Sequence, residues 1–187
     1  MIKVKVGLLL IALVLIIAAE QASAVAGTRS GLPDLPSDWQ VTAAILADVT
    51  GDGSDEWVLV VWRPWRDWPI QQWSDLPSPI AGFHDPVGDS CHLILLDPED
   101  GREIWAGSAL PVPILSLAID DADGDGVNEV WAVEGRYADG RNGLGTHVDV
   151  WRWNGFGFTL TWRSAFGDFA PSCLASAGRC GVQEMSE

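Results

Sequence analysis

Two segments of the chain repeat one pattern, in which an acidic, glycine-containing loop joins two apolar stretches. Residues 41–62 read VTAAILADVTGDGSDEWVLVVW, and residues 114–135 read ILSLAIDDADGDGVNEVWAVEG. They align without gaps when Asp48 is placed on Asp121, which lies 73 residues later. The shared centre is D-x-x-G-D-G-x-x-E. Because an internal repeat indicates an architecture built from similar units, this feature constrains the fold more than any other.

Each loop is followed by more sequence that favours β-structure. The strands predicted after the loops, two in each copy, cover residues 92–96, 102–105, 148–153 and 158–162. Residues 97–101 and the pair Asn154-Gly155 are predicted turns, since glycine-containing turns between β-formers are typical of hairpins. No segment beyond the N-terminal region shows helical periodicity. The sequence predicts an all-β module over residues 41–169, with four-stranded units at about 41–110 and 111–169.

The N-terminal region differs in kind from the rest. Lys3 and Lys5 precede an unbroken apolar run of 14 residues, and Ala22-Ser23-Ala24 follows it with small side chains. This order predicts a secretory signal peptide over residues 1–24. The run is shorter than the roughly 20 residues that span a bilayer. We therefore expect no membrane span after cleavage, and a secreted or cell-surface protein.

The remaining segments are predicted to be less regular. Residues 25–40 are expected to form an extended lead-in, and residues 170–187 a C-terminal tail. Export favours disulfide formation, and a bond between Cys173 and Cys180 would close a small loop in the tail. A pairing of Cys91 with either tail cysteine stays open at this point.

The chain is strongly acidic, with a formal net charge of −15. Nucleic acids and anionic lipids attract basic surfaces, so neither is an expected partner. The charge fits extracellular cation binding, or solubility alone. The positions of the acids must decide between these two.

The second loop presents acids at alternate positions. Asp121, Asp123 and Asp125 stand at positions 1, 3 and 5, and Glu129 stands at position 9. Calcium takes about six to eight oxygen ligands, several of them carboxylates. Glycines between the acids allow the sharp turns that aim them at one ion. Without a cation the four acids would repel one another, so the loop predicts a calcium site.

The first loop matches this pattern less completely. Asp48, Asp52 and Glu56 align with acids of the second loop, but Thr50 replaces one carboxylate, which predicts weaker binding. An EF-hand would need an acid at position 12, where the loops have Leu59 and Ala132, and helices on both sides. Both loops are therefore expected to be hairpins between strands.

The two loops resemble the calcium loops of FG-GAP/VCBS-type repeats, which occur in integrin α-chain β-propellers and in many bacterial surface proteins. Residues 93–105 and 150–162 are similar to the outer strands of propeller blades, and the resemblance covers about residues 41–166. It implies a β-propeller-like fold with two blades. The calcium ligands it implies are Asp48, Thr50, Asp52, Ser54 (carbonyl), Glu56, Asp121, Asp123, Asp125, Val127 (carbonyl) and Glu129.

Propellers generally need at least about four blades, whereas this chain encodes two. The open blade faces predict self-association, or a cover formed by the inserts between strands. The resemblance implies a structural or adhesion-like role with a protein or glycan partner at the cell surface. An accessory domain of an extracellular hydrolase is a further alternative.

Four tryptophans crowd into the insert at residues 62–73. Trp62, Trp65 and Trp68 are spaced by three, which would place them on one face of a polyproline-type strand, with Trp73 nearby. Exposed tryptophans stack on sugar rings, so a lectin-like glycan-binding surface is one interpretation. Burial of these side chains over an open blade face is the other, because tryptophan carries a large apolar area.

No catalytic residue is nominated by the sequence. His84, His92 and His147 are the only histidines, and none belongs to a recognisable metal or nucleophile motif. His92 and His147 begin predicted strands at similar places in the two copies, which indicates a repeat feature. We therefore expect a protein that is not an enzyme.

Overall fold

The computed structural model describes residues 31–176, and these are organised mainly as β-strands. The strands are β1 (Gln40–Ala47), β2 (Glu56–Pro64), β3 (Asp89–Leu96), β4 (Glu103–Ala106), β5 (Ile114–Asp120), β6 (Glu129–Glu134), β7 (His147–Trp153) and β8 (Phe158–Arg163). Three short 3-10 helices cover Ile70–Gln72, Tyr137–Asn142 and Pro171–Ser176. The predicted all-β class is confirmed. The predicted signal peptide lies outside the described residues, and no helix in the described part is long and apolar enough to cross a membrane.

The strands form two antiparallel four-stranded sheets in sequence order, sheet 1 from β1 to β4 and sheet 2 from β5 to β8. The two copies pair their strands in the same register. Ala47 pairs with Glu56 where the first loop begins and ends. Asp120 pairs with Glu129 at the equivalent place in sheet 2. Both sheets lie in one compact unit that begins at Pro33.

The sheets share one apolar core. Val58, Val60 and Trp62 stand at alternate positions of β2, and they belong to the same buried cluster as Val130 and Ala132 of β6. Side chains alternate between the two faces of a strand, so these three residues present one face of sheet 1 to sheet 2. The intervening residues of β2 are also buried, and both faces of this strand are therefore covered.

The loop between β6 and β7 reaches back from sheet 2 to sheet 1. The Tyr137 hydroxyl accepts a hydrogen bond from the Cys91 amide (3.1 Å) and donates one to the Leu110 carbonyl (2.8 Å). Arg141 forms an ion pair with Asp89 (2.5 Å). Polar contacts thus join the two copies in addition to the shared core.

The opposite face of sheet 2 is covered by the segment that follows β8. Val133 of β6 and Val148 of β7 form a second buried cluster with Leu174 of the last 3-10 helix, and Phe169 packs against it. Phe169 also pairs with Gly145 in an isolated antiparallel bridge. Part of the predicted tail is therefore an ordered cover for an apolar sheet face.

Candidate metal centres

The loop between β1 and β2 gathers three acidic side chains. One carboxylate oxygen from each of Asp48, Asp52 and Glu56 lies within 4.8 Å of the other two. Calcium–oxygen distances are about 2.3–2.6 Å, so oxygens on opposite sides of one ion are separated by up to about 5 Å. The cluster therefore has the dimensions of a site for a single cation.

Backbone amides hold the first acid of each loop in place. The Asp48 carboxylate accepts hydrogen bonds from the amides of Gly51 (2.7 Å) and Gly53 (2.8 Å). These glycines have φ values of 74° and 89°, a region that glycine enters without a steric penalty. Asp121 accepts the two equivalent bonds in the second loop, also at 2.7 and 2.8 Å. The repeated glycines thus explain why both loops adopt one conformation.

Glu56 closes the first cluster from the start of β2. Its side chain is buried, and its two oxygens accept hydrogen bonds from the Val49 amide (3.1 Å) and the Thr50 hydroxyl (3.2 Å). Burial raises the pKa of Glu56, and the charges of Asp48 and Asp52 raise it further, against the lowering effect of the two hydrogen bonds. A bound cation would offset both causes of the rise. The Thr50 hydroxyl therefore lies beside the cluster and donates to Glu56, and its ligation of a metal stays a prediction.

The second loop gathers a different subset of its acids. One oxygen from each of Asp121, Asp123 and Glu129 lies within 4.8 Å of the others. Glu129 is buried, and one of its oxygens accepts a hydrogen bond from the Ala122 amide (2.8 Å). Its other oxygen is buried without a hydrogen-bond partner. Burial is the main cause that raises the Glu129 pKa. The predicted ligand Asp125 is not one of the three clustered acids.

An arginine of β7 accounts for the position of Asp125. Arg152 donates hydrogen bonds to Asp125 (2.5 Å) and to Asp123 (3.2 Å), and its Nη1 lies 3.4 Å from the unbonded oxygen of Glu129. The bond from Arg152 lowers the pKa of Asp125. One guanidinium thus lies among three acids that the sequence assigns to a cation.

Sheet 1 has no counterpart of this arginine. The strand register places Asp97 at the position that Arg152 has in sheet 2, and Asp97 pairs with Arg102 (3.2 Å). Among the described residues, no basic side chain forms an ion pair with the acids of the first loop. The two clusters therefore differ in charge in a way that the loop sequences alone do not reveal.

The two loops are in direct contact. The Asn128 side chain of the second loop donates a hydrogen bond to the Asp48 carbonyl of the first (2.8 Å). Ser54 and Val127, the predicted carbonyl ligands, occupy equivalent places and donate their amides to the acid two residues earlier. Ligation by their carbonyls stays a prediction.

Comparisons of the chain with known proteins do not assign it to a family. No protein-family model, curated protein or solved structure matches it. The resemblance to FG-GAP/VCBS-type repeats therefore depends on the two loops and their flanking strands alone.

The structure separates the four tryptophans of the insert. Trp62 is buried in the core between the sheets, so its predicted place on a glycan-binding surface is wrong. Trp65 packs against His84, with ring centres 4.9 Å apart. Trp68 is 47% exposed and Trp73 is 77% exposed. The polyproline-type face is also wrong, because Trp62 continues the alternation of β2.

Two of the three histidines, His92 and His147, occupy repeat positions, as the sequence indicates. His92 pairs with Val61, and His147 pairs with Glu134, which are equivalent places in the two sheets. His92 is buried, and burial lowers its pKa to about 4. Its ring nitrogens contact the Gly107 carbonyl (3.0 Å) and the Ser90 hydroxyl (2.8 Å). The prediction that the protein is not an enzyme stays a prediction.

The cysteines resolve one of the open alternatives. Cys91 is a buried free thiol, so its pairing with a tail cysteine is wrong. Burial raises the pKa of this thiol to about 12. Cys173 is disulfide-bonded, and its predicted partner Cys180 lies outside the described residues.

A second group of acids lies on β6 and β7, away from the loops. Glu134 and Asp149 are both buried, and Arg163 donates hydrogen bonds to both, at 2.7 Å and 2.5 Å. Burial raises the Glu134 pKa to about 8, the neighbouring Asp149 adds to the rise, and Arg163 opposes it. Glu134 therefore holds a proton to a higher pH than an exposed glutamate would.

This buried pair predicts a pH dependence of stability. Because the pKa of Glu134 is raised from 4.5 to about 8 on folding, its contribution to stability should be lost as pH rises from about 4.5 to about 8. Urea unfolding at several pH values in this range measures the slope. The Glu134→Gln variant should have a flatter profile, and the exposed Glu99→Gln should not. An unchanged slope in Glu134→Gln would contradict the assignment.

Proposed function

We propose that this protein is an exported calcium-binding β-repeat protein of FG-GAP/VCBS type, in which calcium stabilises two loops of a structural or interaction module. The observation that carries the proposal is the pair of acid clusters. Two loops in one register each bring three carboxylate oxygens within 4.8 Å of one another. A buried glutamate stands at position 9 of both loops, and a chance arrangement of acids would not be expected to repeat it.

Calcium fits these clusters better than other common metals do. All the clustered donor atoms are carboxylate oxygens, whereas zinc and copper prefer sulfur and imidazole ligands. Magnesium prefers ideal octahedral geometry and retains several waters, whereas an irregular loop of carboxylates suits calcium. Ligation by backbone carbonyls and water would complete the about six to eight oxygens that calcium takes.

The two sheets support the description as blade-like units. Each has four antiparallel strands in sequence order, and β1 contacts β5, as strands around a shared axis would. The predicted signal peptide and the disulfide at Cys173 agree with export to an oxidising compartment. A partner at the cell surface, whether protein or glycan, completes the proposed adhesion-like role.

Calcium titration calorimetry of purified, chelator-treated protein tests the proposal. We expect a stoichiometry near two, and near one in each of the Glu56→Gln and Glu129→Gln variants, because each substitution removes the buried acid of one cluster. Glu99→Gln lies outside both loops and should bind as the unmodified protein does. No heat of binding at millimolar calcium, or two sites retained in both loop variants, would refute it.

A further inference from the structure

A large cavity lies away from both loops, on sheet 1. It has a volume of about 630 Å³, within the range of about 300–1,000 Å³ typical of small-molecule sites. The lead-in, the end of β2 and the region around β4 form its walls. Its lining includes Asp38, Trp39, Arg63, Arg66, Trp68 and Glu103.

Arg63 is unusual among the arginines of the described region. Every other described arginine has a carboxylate partner within 4.0 Å, whereas Arg63 forms no ion pair. Its guanidinium carbon lies 5.6 Å from the ring centre of Trp39, which fixes the side chain at the cavity. In a chain with a net charge of −15, an arginine that forms no ion pair with a carboxylate of the described residues is available to bind an anionic ligand.

The floor of the cavity gives Arg63 no charged partner either, since its neighbour there is the His92 ring. Its Nη2 lies 3.3 Å from Nδ1 of His92, and that nitrogen is also 3.0 Å from the Gly107 carbonyl. A carbonyl accepts only, so we assign the proton of the neutral ring to Nδ1, and Nε2 then accepts from the Ser90 hydroxyl (2.8 Å). Two donors therefore face each other at 3.3 Å. An acceptor supplied by a ligand would satisfy Arg63.

The cavity walls add two further kinds of contact. Trp39 is half-buried and Trp68 is 47% exposed, so aromatic surface is open to a ligand. Asp38 and Glu103 are exposed acids that accept hydrogen bonds, and Arg66 approaches Asp38 only at 4.0 Å. A ligand that matches this lining carries one carboxylate, several hydroxyl donors and an apolar ring face.

From these contacts we infer that the cavity binds an acidic sugar. The carboxylate of a hexuronate pairs with the Arg63 guanidinium, the geometry in which arginine makes its strongest hydrogen bonds. The sugar hydroxyls donate to Asp38 and Glu103, and the ring face lies against Trp68. This site uses only Trp68 of the four tryptophans in the insert, and it is independent of calcium binding.

Calorimetry or ligand-observed NMR with D-glucuronate tests the inference, with glucose as the uncharged control. We expect glucuronate to bind in the millimolar range or tighter, and at least about tenfold more tightly than glucose, because charge-assisted hydrogen bonds to Arg63 are lost with the carboxylate. Arg63→Gln and Trp68→Ala should each weaken glucuronate binding by about tenfold. Arg63→Lys, which keeps the charge but not the paired donors, should be intermediate.

The matched controls are Trp73→Ala and Arg102→Gln, an exposed tryptophan and an exposed arginine outside the cavity. Both should bind glucuronate as the unmodified protein does. Equal affinity for glucose and glucuronate, an unchanged affinity in Arg63→Gln, or no binding of glucuronate at high millimolar concentration would each overturn the inference. Tighter binding of a glutamate-containing peptide than of glucuronate would overturn the sugar in favour of a peptide ligand. Each measurement is repeated with calcium and with chelator, so that a failure here is distinct from a failure of the metal sites.

Discussion

Calcium should raise the midpoint of thermal unfolding by roughly 10–20 °C relative to chelated protein. A ligand at one hundred times its dissociation constant stabilises by about 2.7 kcal/mol per site. Two sites then give about 5 kcal/mol, and in a protein of this size each kcal/mol shifts the midpoint by about 2–4 °C. Circular dichroism or calorimetry in excess calcium and in excess chelator measures the difference.

The physical cause of this stabilisation lies in Glu56 and Glu129. Both are buried beside other carboxylates, and burial with that repulsion raises the pKa of each. A cation removes the repulsion, so the gain should fall by about half in Glu56→Gln or Glu129→Gln. Magnesium at the same concentration should give a clearly smaller shift. Identical midpoints in calcium and chelator would show that the loops are ordinary polar turns.

Arg152→Gln should strengthen calcium binding at the second loop by about fivefold to tenfold. Arg152 bonds Asp123 and Asp125 and lies 3.4 Å from Glu129. A calcium ion must compete with this guanidinium for the same carboxylates, so its removal should help the ion. The same reasoning reverses the ranking of the loops, and the first loop, which lacks such an arginine, should fill first.

The effect of Arg152 on calcium affinity is easiest to measure when the first loop cannot bind calcium. Calcium titrations of Glu56→Gln and of the double variant Glu56→Gln/Arg152→Gln compare the second loop with and without its arginine. Arg102→Gln is the matched control, because Arg102 pairs with Asp97 at the equivalent position of sheet 1. Weaker binding in the double variant would mean that Arg152 positions Asp125 for the metal instead of competing with it.

The repeat made much of the fold predictable from the sequence. Asp48 and Asp121 each accept hydrogen bonds from glycine amides three and five residues later. Because both copies have this spacing, it predicts one loop conformation and the strands on either side of it. The turn at Asn154 follows from similar local chemistry, since its side chain accepts bonds from the next amides. Local interactions of this kind are readable because all their partners are close in sequence.

Contacts between residues that are distant in sequence determine the features that the sequence does not predict. A spacing of three groups Trp62 with Trp65 and Trp68, but the alternation of side chains in β2 continues through Trp62 and places it in the core. Arg152 approaches the second loop only because β7 pairs with β6. The segments between the second and third strands differ in length in the two copies, so an alignment without gaps does not match Arg152 to Asp97. The role of Leu174 as a cover likewise depends on how the chain returns after β8.

The segment that follows β8 affects whether a further repeat unit could be added after sheet 2. Repeat arrays lengthen when the apolar face of a new unit stacks on the uncovered face of the last one, and capping segments stop this growth. Leu174 and Phe169 already occupy the face of sheet 2 that a third unit would need. A tandem duplication of residues 114–163 would therefore have to displace its own cap before it could stack. The segment after β8 thus covers the face of sheet 2 on which a further unit would stack.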